Sequence, residues 1–337
     1  MSDEREGMQG RIVSCDWGTS NFRIRLVDPV GGNVICERST RDGIAMLDQA
    51  RESLGIAAED RAAYLCRYLD AQLDALAEAS GEEMGGLPVI VSGMASSTLG
   101  IRLLAYAPVP FRLDGRDVVW ARLEGMLSKG GVIHLLSGVS SGSDMLRGEE
   151  VELIGVSRLI PSMGQGEGES VVVMPGTHSK HLHISDGRIT AIDTYLTGEL
   201  FSLLSRHGVL RNSVREGLAF EEGRDSFLEG VKASGEVPLL RALFGIRARH
   251  VLLSVDPAVN HHYLSGLLIG HELQALPGDG VMTYLCAGNG LDGPYRDAME
   301  ALHPGRPAIF VQSGLMSRAC AIAHAHFFRT MSGGSPR

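Results

Sequence analysis

Ile12-Val13-Ser14-Cys15-Asp16-Trp17-Gly18-Thr19-Ser20-Asn21-Phe22-Arg23-Ile24-Arg25-Leu26-Val27 sets two apolar, strand-like runs around a polar hinge, Asp-x-Gly-Thr-Ser-Asn. A tight turn there presents consecutive backbone N–H groups beside hydroxyl and amide donors. Amides carry fixed partial positive charge, so such a concavity attracts phosphate. Asp16, ahead of the glycine, suits Mg²⁺, a hard cation that takes oxygen ligands and keeps some waters. The bland alternative is an ordinary hairpin in which Gly18 supplies an unusual dihedral.

A second stretch repeats the plan. Val171-Val172-Val173-Met174-Pro175-Gly176-Thr177-His178-Ser179-Lys180-His181-Leu182-His183-Ile184 is again an apolar strand, a Gly-Thr hinge and an alternating strand. Each copy then runs into another turn and strand, Pro29–Asn33 before Val34-Ile35-Cys36 and Asp186-Gly187 before Ile189–Ile192. The two Gly-Thr pairs lie 158 residues apart, almost half the chain. A two-fold duplication of this unit predicts two similar domains closing on one nucleotide, with one turn from each.

Length and composition agree with that plan. A chain of 337 residues has room for about two domains, and 44% hydrophobic with 5% aromatic content predicts aliphatic cores. The net charge of −9, with no basic stripe, makes nucleic acid and anionic membrane poor partners, while a local site can still hold a small anion. Five scattered cysteines without a Cys-x-x-Cys pair read as reduced core thiols. The polar, acidic start shows no signal peptide and no run reaches the roughly 20 apolar residues of a membrane span, so a cytoplasmic protein is expected.

Apolar periodicity predicts a helix over Arg61–Ala79 and a buried strand at Leu87–Val91 that ends in Ser92-Gly93-Met94-Ala95-Ser96-Ser97. Small residues at the end of an α/β strand are where ligands commonly sit, and are equally what a tight turn needs. A strand at Val132–Gly138 leads through a polar loop to Asp144 and then to Arg147-Gly148-Glu149-Glu150, which opens a helix to Leu159. Acids in a first turn favour the helix dipole, yet an arginine beside two glutamates also fits a general-base site. The Gly-rich loop Pro161–Ser170 puts the domain boundary near 150–165.

In the second half, Ile192–Gly198 reads as a strand into a helix capped by Thr197, 221–236 as a helix–loop excursion, and His262–Leu276 as a strong helix. A strand at Val281–Cys286 stops at Ala287-Gly288-Asn289-Gly290, and helix 291–302, a strand at Ala308–Val311 and a helix near Gly314–Phe328 follow. The expected fold is therefore α/β in two lobes.

Other motifs are excluded. There is no G-x-x-x-x-G-K-[ST] and no G-x-G-x-x-G after a first strand. His178, His181 and His183 lack a fourth ligand nearby for zinc, and His261-His262 reads as a surface pair. No serine sits in a G-x-S-x-G context.

Six segments in order now carry a resemblance: Asp16–Arg23, Ser92–Ser97, Met145–Glu150, Met174–Lys180, Thr197–Phe201 and Leu264–Gly270. Across nearly its whole length the chain resembles the 2-dehydro-3-deoxygalactonokinase family, a branch of the sugar-kinase, Hsp70 and actin superfamily. It departs from the family at the late adenosine turn, where Asn289 stands in place of threonine or serine. The resemblance implies two ribonuclease-H-like, actin-like lobes with a cleft between them, over 9–155 and 156–330. It implies transfer of the γ-phosphoryl group of ATP to the C6 hydroxyl of 2-dehydro-3-deoxy-D-galactonate, in galactonate catabolism. Asp16 would hold Mg²⁺ through water. Gly18, Thr19, Ser20 and Asn21 would cradle phosphates from one lobe and Gly176, Thr177 and Ser179 from the other, with Gly288 and Asn289 by the adenosine. Related sugar kinases place the base in a Gly-acid pair opening a helix before the second phosphate turn, which selects Glu149, with Glu150 and Asp144 as fallbacks. Arg147 would pair with the substrate carboxylate, and Met94, Ala95 and Ser96 would line the sugar pocket. The partner is then a small sugar acid; a homodimer is compatible with the sequence. A kinase for another sugar acid or a hexose, a non-catalytic sugar or nucleotide sensor, and a partner-binding ATPase are the competing readings.

Overall fold

The computed structural model describes residues 10–165, 168–278, 280–288 and 290–331. Its contacts divide the chain into two compact units, one of 1–166 with 187–190 and 314–337, the other of 167–186 with 191–313. The expected boundary at 155/156 thus moves, and the last helix groups with the first unit. The physical reason is close packing. Gly155 lies so near the final helix that a Cβ there would meet the Ala319 carbonyl oxygen at 1.9 Å.

The first unit is built on β1 (Ile12–Trp17), β2 (Phe22–Asp28), β3 (Asn33–Thr40), α1 (Ile44–Ser53), α2 (Arg61–Ser80) and β4 (Val89–Gly93). The short strands β5 (Ala107–Pro108), β6 (Phe111–Arg112), β7 (Trp120–Leu123), β8 (Ile133–Leu136), β9 (Val139–Ser140) and β10 (Met145–Leu146) follow, with α3 (Glu149–Leu159) and α4 (Pro161–Gln165). The main sheet has the order β3-β2-β1-β4-β8-β7, antiparallel from β3 to β1 and parallel from β1 through β4 to β8. Central β1 is covered on both faces, with Ile12, Val13, Cys15 and Trp17 fully buried, as expected of a strand with a near-continuous apolar run. Edge strand β3 instead alternates between exposed and half-buried residues. Helix α2 buries Leu65, Leu69, Leu73 and Leu76 on one stripe, the spacing of an amphipathic helix.

The second unit repeats the topology. Its strands are β11 (Glu169–Met174), β12 (Ser179–Ser185), β13 (Arg188–Tyr195), β14 (Met282–Leu285) and β15 (Ala308–Phe310), in a sheet of order β15-β14-β11-β12-β13-β6 in which β6 pairs with the start of β13. β11 pairs antiparallel with β12 and parallel with β14, and β14 parallel with β15. Apart from the end strands β7 and β6, both sheets therefore run 3-2-1-4-5, with the same sense in the 1-2, 1-4 and 4-5 pairs, the ribonuclease-H-like arrangement seen in two-lobed actin-like ATPases and sugar kinases.

Helices α5 (Thr197–Arg206), α6 (Phe220–Glu236), α7 (Leu239–Leu253), α8 (Pro257–Leu273) and α9 (Asp292–Leu302) complete this unit, and α10 (Ser313–Met331) ends the chain. α8 starts earlier than its apolar pattern indicates. Asp256 caps it by accepting from the Ala258 N–H at 2.8 Å, and Pro257 pre-sets the first turn. His262 is consequently inside, its Nε2 against the Leu218 carbonyl at 3.2 Å, so the His261-His262 pair is not a surface pair. Thr197 is the first helical residue of α5 rather than its cap.

Candidate active site

In the first unit the Gly18–Asn21 turn stands on an aromatic base. Trp17 and Phe22 face each other across the hairpin with ring centroids 5.0 Å apart, and Tyr68 of α2 packs on Phe22 at 5.3 Å. The Gly18 N–H closes the turn on the Asn21 carbonyl at 2.9 Å. The Gly18 and Thr19 carbonyls accept from the Ile44 and Ala45 N–H groups at the start of α1, at 3.0 and 3.2 Å. The turn's acceptors are thus spent on a helix, while the N–H groups of Thr19, Ser20 and Asn21 donate to no backbone group among the described residues. Those three residues are exposed, and the result is an anion-attracting tip.

Asp16 sits one residue before the end of β1. Burial raises its carboxyl above the ordinary range; Arg25 and Arg23 of β2 oppose the rise and Glu149 adds to it. Glu149 and Glu152 share a face of α3 at helical spacing. Glu152 is pushed up to about 8 by burial, then by Asp16 and Glu149. Glu150 is also pushed up to about 8, by burial and then Glu149, and both its oxygens accept from the Gly148 N–H, at 2.8 and 3.0 Å. A carboxyl raised towards neutral pH lies in the range where a general base works, so Glu150, though tied to the backbone, stays a fallback to Glu149 together with Asp144. Glu149 remains half-buried, its Oε2 accepting from the Arg147 N–H at 2.9 Å. Asp144 lies in the loop between β9 and β10, where its Oδ1 accepts from the Met145 N–H at 2.7 Å.

Arg147 is held from two sides. Its Nη1 donates to the Ser96 carbonyl and Oγ, both at 2.6 Å, its Nε to the Tyr106 hydroxyl at 3.2 Å, and its guanidinium lies 4.2 Å over the Tyr106 ring. Nη2 makes none of these bonds, so one arm of the fork is open to a carboxylate. The segment carrying Ser96 is pressed against β1. Gly93 has φ 84°, and a Cβ on it would meet the Trp17 carbonyl oxygen at 2.6 Å. Ala95 and Ser96 are fully buried, which corrects the expectation that they line a sugar pocket: Ser96 backs Arg147, and Met94 is half-buried.

In the second unit β11 and β14 run parallel, with Val173 opposite Leu285, so the Gly176–His178 turn and the Gly288 loop share one sheet edge. Ligands of open α/β sheets bind at that edge. The start of α5 is pressed onto the turn: the Glu199 N–H donates to the Thr177 carbonyl at 2.9 Å, and a Cβ on Gly198 would meet the Gly176 carbonyl oxygen at 2.5 Å. Thr177 and His178 are exposed, and the position of Cβ at Gly176 faces open space. Ser179 is the correction here. It is fully buried and its hydroxyl donates inward to Glu272 Oε1 at 2.6 Å, so it is not presented at the turn's surface. Asn289 lies outside the described residues. The histidines diverge to three separate carboxylates, His178 to Glu199, His181 to Glu272 and His183 to Asp193.

Sequence reasoning passes over five residues of these sites. Glu152 is findable from its i, i+3 spacing to Glu149. Arg23 and Arg25 show as paired charges at period two inside an apolar strand. Lys180 is buried beside the second turn, Nζ donating to the His178 carbonyl at 3.1 Å. Glu272 carries no local signal.

Comparison with known proteins covers the same residues. The family model for 2-keto-3-deoxy-galactonokinase matches residues 16–318, which span both turns, Arg147 and the α3 acids. A probable 2-dehydro-3-deoxygalactonokinase of Rhizobium meliloti (strain 1021) is 31% identical over 326 residues, covering 93% of this chain and 98% of the relative. The 2-dehydro-3-deoxygalactonokinase of Escherichia coli (strain K12) is 29% identical over 327 residues, covering 94% and 99%. A crystal structure from Sinorhizobium meliloti, provisionally assigned the same activity, superposes with TM-score 0.75 at 28% identity and covers 97% of this chain and 98% of that one. With the model spanning nearly the whole length and relatives matched end to end, the chain belongs to the 2-keto-3-deoxy-galactonokinase family.

Proposed function

We propose that this chain phosphorylates the C6 hydroxyl of 2-dehydro-3-deoxy-D-galactonate with ATP, in galactonate catabolism. Family membership supports the reaction; the carrying structural observation is Asp16 at the end of β1 with Glu149 and Glu152 bearing on it. Phosphoryl transfer asks a protein chiefly for positioning and charge neutralisation. In the first unit the N–H groups of Thr19, Ser20 and Asn21 bind phosphate oxygens; in the second the Gly176–Thr177 turn does so, with Gly288 by the nucleoside. Glu149 takes the hydroxyl proton, and Arg147 pairs with the substrate carboxylate.

Among the described residues no three His, Cys, Asp or Glu side chains form a metal cage. Mg²⁺ in nucleotide sites needs only one or two carboxylates beside phosphates and water. Asp16 fits that demand as a single carboxylate near the end of β1, next to the Gly18–Asn21 turn, where burial makes its bare charge costly and a cation would offset that cost. Bound there, Mg²⁺ would neutralise charge developing on the transferred group.

The test is ADP release coupled to a readout, with Mg·ATP against 2-dehydro-3-deoxygalactonate, its gluconate epimer and plain hexoses. Turnover on the first substrate alone is expected. Turnover only on another sugar would remove the substrate assignment and leave the kinase. Nucleotide binding with no turnover on any would favour a sensor.

A further inference from the structure

The second unit contains a buried carboxylate with an unusual number of donors. Glu272, on the last turn of α8, is 3% exposed. Its Oε1 accepts from the Ser179 hydroxyl at 2.6 Å and meets His181 Nε2 at 3.2 Å. Its Oε2 accepts from the Tyr295 hydroxyl at 2.8 Å and from the Thr197 hydroxyl. A carboxylate offers about four lone-pair sites, so this one is saturated and its burial compensated.

The four donors come from three elements that border the nucleotide-facing edge. Ser179 is the first residue of β12 after the Gly176–His178 turn, with His181 two residues on. Thr197 is the first residue of α5, whose next two residues press on the Gly176 and Thr177 carbonyls. Tyr295 lies in the first turn of α9, and its N–H reaches the Leu291 carbonyl, whose own N–H donates to the Gly288 carbonyl at 3.1 Å. One side chain thus fixes the strand leaving the turn, the helix walling it, and the helix after the Gly288 loop. Burial together with Glu272 raises the Tyr295 phenol well above its ordinary range, so this donor stays protonated at any working pH.

We propose that Glu272 is the positioning residue of the nucleotide half-site, its carboxylate setting the shape of the Gly176–His178 turn through Ser179 and Thr197 and of the Gly288 loop through Tyr295. This rests on reading that turn as a phosphate cradle.

The experiment uses the full chain and measures ADP dissociation constants, the KM for ATP and for the sugar acid separately, and thermal midpoints. Glu272→Gln replaces one acceptor oxygen by an amide donor, so two of the four donors lose their partner. Displacements of about an ångström at a site cost up to roughly a hundredfold. Glu272→Gln is therefore expected to weaken ADP and raise the ATP KM by about ten- to a hundredfold, with the sugar-acid KM unchanged. Tyr295→Phe and Thr197→Val each keep three donors and serve if the first variant does not fold; smaller rises in the ATP KM are expected. Ile246→Val, a fully buried core position of α7, gives a stability loss without touching the network and should leave ADP affinity alone. A folded Glu272→Gln protein with ADP affinity and ATP KM within twofold of the parent overturns the proposal, as does a sugar-acid KM that rises equally. Gly176→Val separates the two readings, because the Cβ position there faces open space and a side chain on it would stand where a phosphate would bind; an unchanged thermal midpoint shows that the fold tolerates it. Unchanged ADP affinity in Gly176→Val defeats the cradle itself; a loss there with none in Glu272→Gln defeats Glu272 alone.

Discussion

The two units share a sheet topology and a Gly-Thr turn after the first strand, yet they use acids in opposite ways. In the first unit burial raises the proton affinity of Asp16 and Glu152, their acidic neighbours, Glu149 among them, add to the rise, and Arg23 and Arg25 restrain it. In the second, Met174 holds the strand position that Asp16 holds in the first, and the buried acid, Glu272, is neutralised by four protein donors. A carboxylate whose lone pairs are all occupied can position its neighbours but has nothing left for a ligand. A cluster whose charge is only partly relieved has a reason to attract a cation or a proton. Duplication supplied the frame twice, and the chemistry was placed in one copy.

The comparison breaks most easily at α3. Glu149→Gln should cut turnover by roughly 10²–10⁴-fold, the usual worth of a general base, with ADP affinity little changed. Single-turnover kinetics beside calorimetric ADP binding would read both. Near-normal turnover would transfer the role to another acid of the same unit, Glu150 or Glu152 of α3 or Asp144.

A matched pair of substitutions sharpens the contrast. Gly93→Ala puts a Cβ 2.6 Å from the Trp17 carbonyl oxygen, and Gly198→Ala puts one 2.5 Å from that of Gly176. Each overpacks a strand end by a single methyl, a change that costs about 1–3 kcal/mol of stability, and at Gly93 the φ of 84° adds backbone strain of about 1–3 kcal/mol. The first displaces Ser96 and with it Arg147, so the sugar-acid KM should rise about tenfold. The second displaces the start of α5 and should raise the ATP KM by a similar factor. Steady-state kinetics with each substrate varied in turn decides it; the same substrate affected in both variants would deny the division of labour.

What the sequence discloses follows from the range of the interactions. The turns are legible because a turn is a local object, and seeing it twice removes the hairpin alternative. Glu149 and Arg147 are legible because they are adjacent to a helix start. Side-chain direction is not local: Ala95, Ser96 and Ser179 sit in the right segments, but whether they face a ligand or the core depends on what packs behind them. Glu272 lies 93 residues from Ser179 and within an apolar helix, where only the assembled unit brings its partners together. Helix α7 escapes periodicity because it leaves Leu240, Phe244, Leu252 and Leu253 exposed and so shows no clean apolar stripe. The return of α10 to the first unit depends on the contact of Gly155 with Ala319, for which nothing nearby in the chain prepares.

The smallest effect tests the electrostatic half of the comparison by pH. Glu150 is pushed up to about 8 in the folded protein and belongs near 4.3 in the unfolded chain. Between those values the folded state holds a proton that the unfolded state has released, so stability falls as pH rises, by up to about 1.4 kcal/mol per pH unit for each such group. Glu152, also near 8, acts in the same direction. His324 runs the other way. It is fully buried against the Ser14 hydroxyl with its imidazole pushed down to about 3, so its contribution is complete above pH 6.5 and is lost on acidification below it. His134, lowered to about 4 by burial, acts as His324 does, and the pH dependence of both fades about one pH unit above 6.5, so the carboxyls dominate the window from about pH 7.5 to 8. Urea midpoints should fall steadily across it, and Glu150→Gln, which cannot ionise, should remove about half of that slope. A flat profile in the parent protein would mean that the first unit's acids are as fully compensated as Glu272, and the distinction between the two copies would disappear.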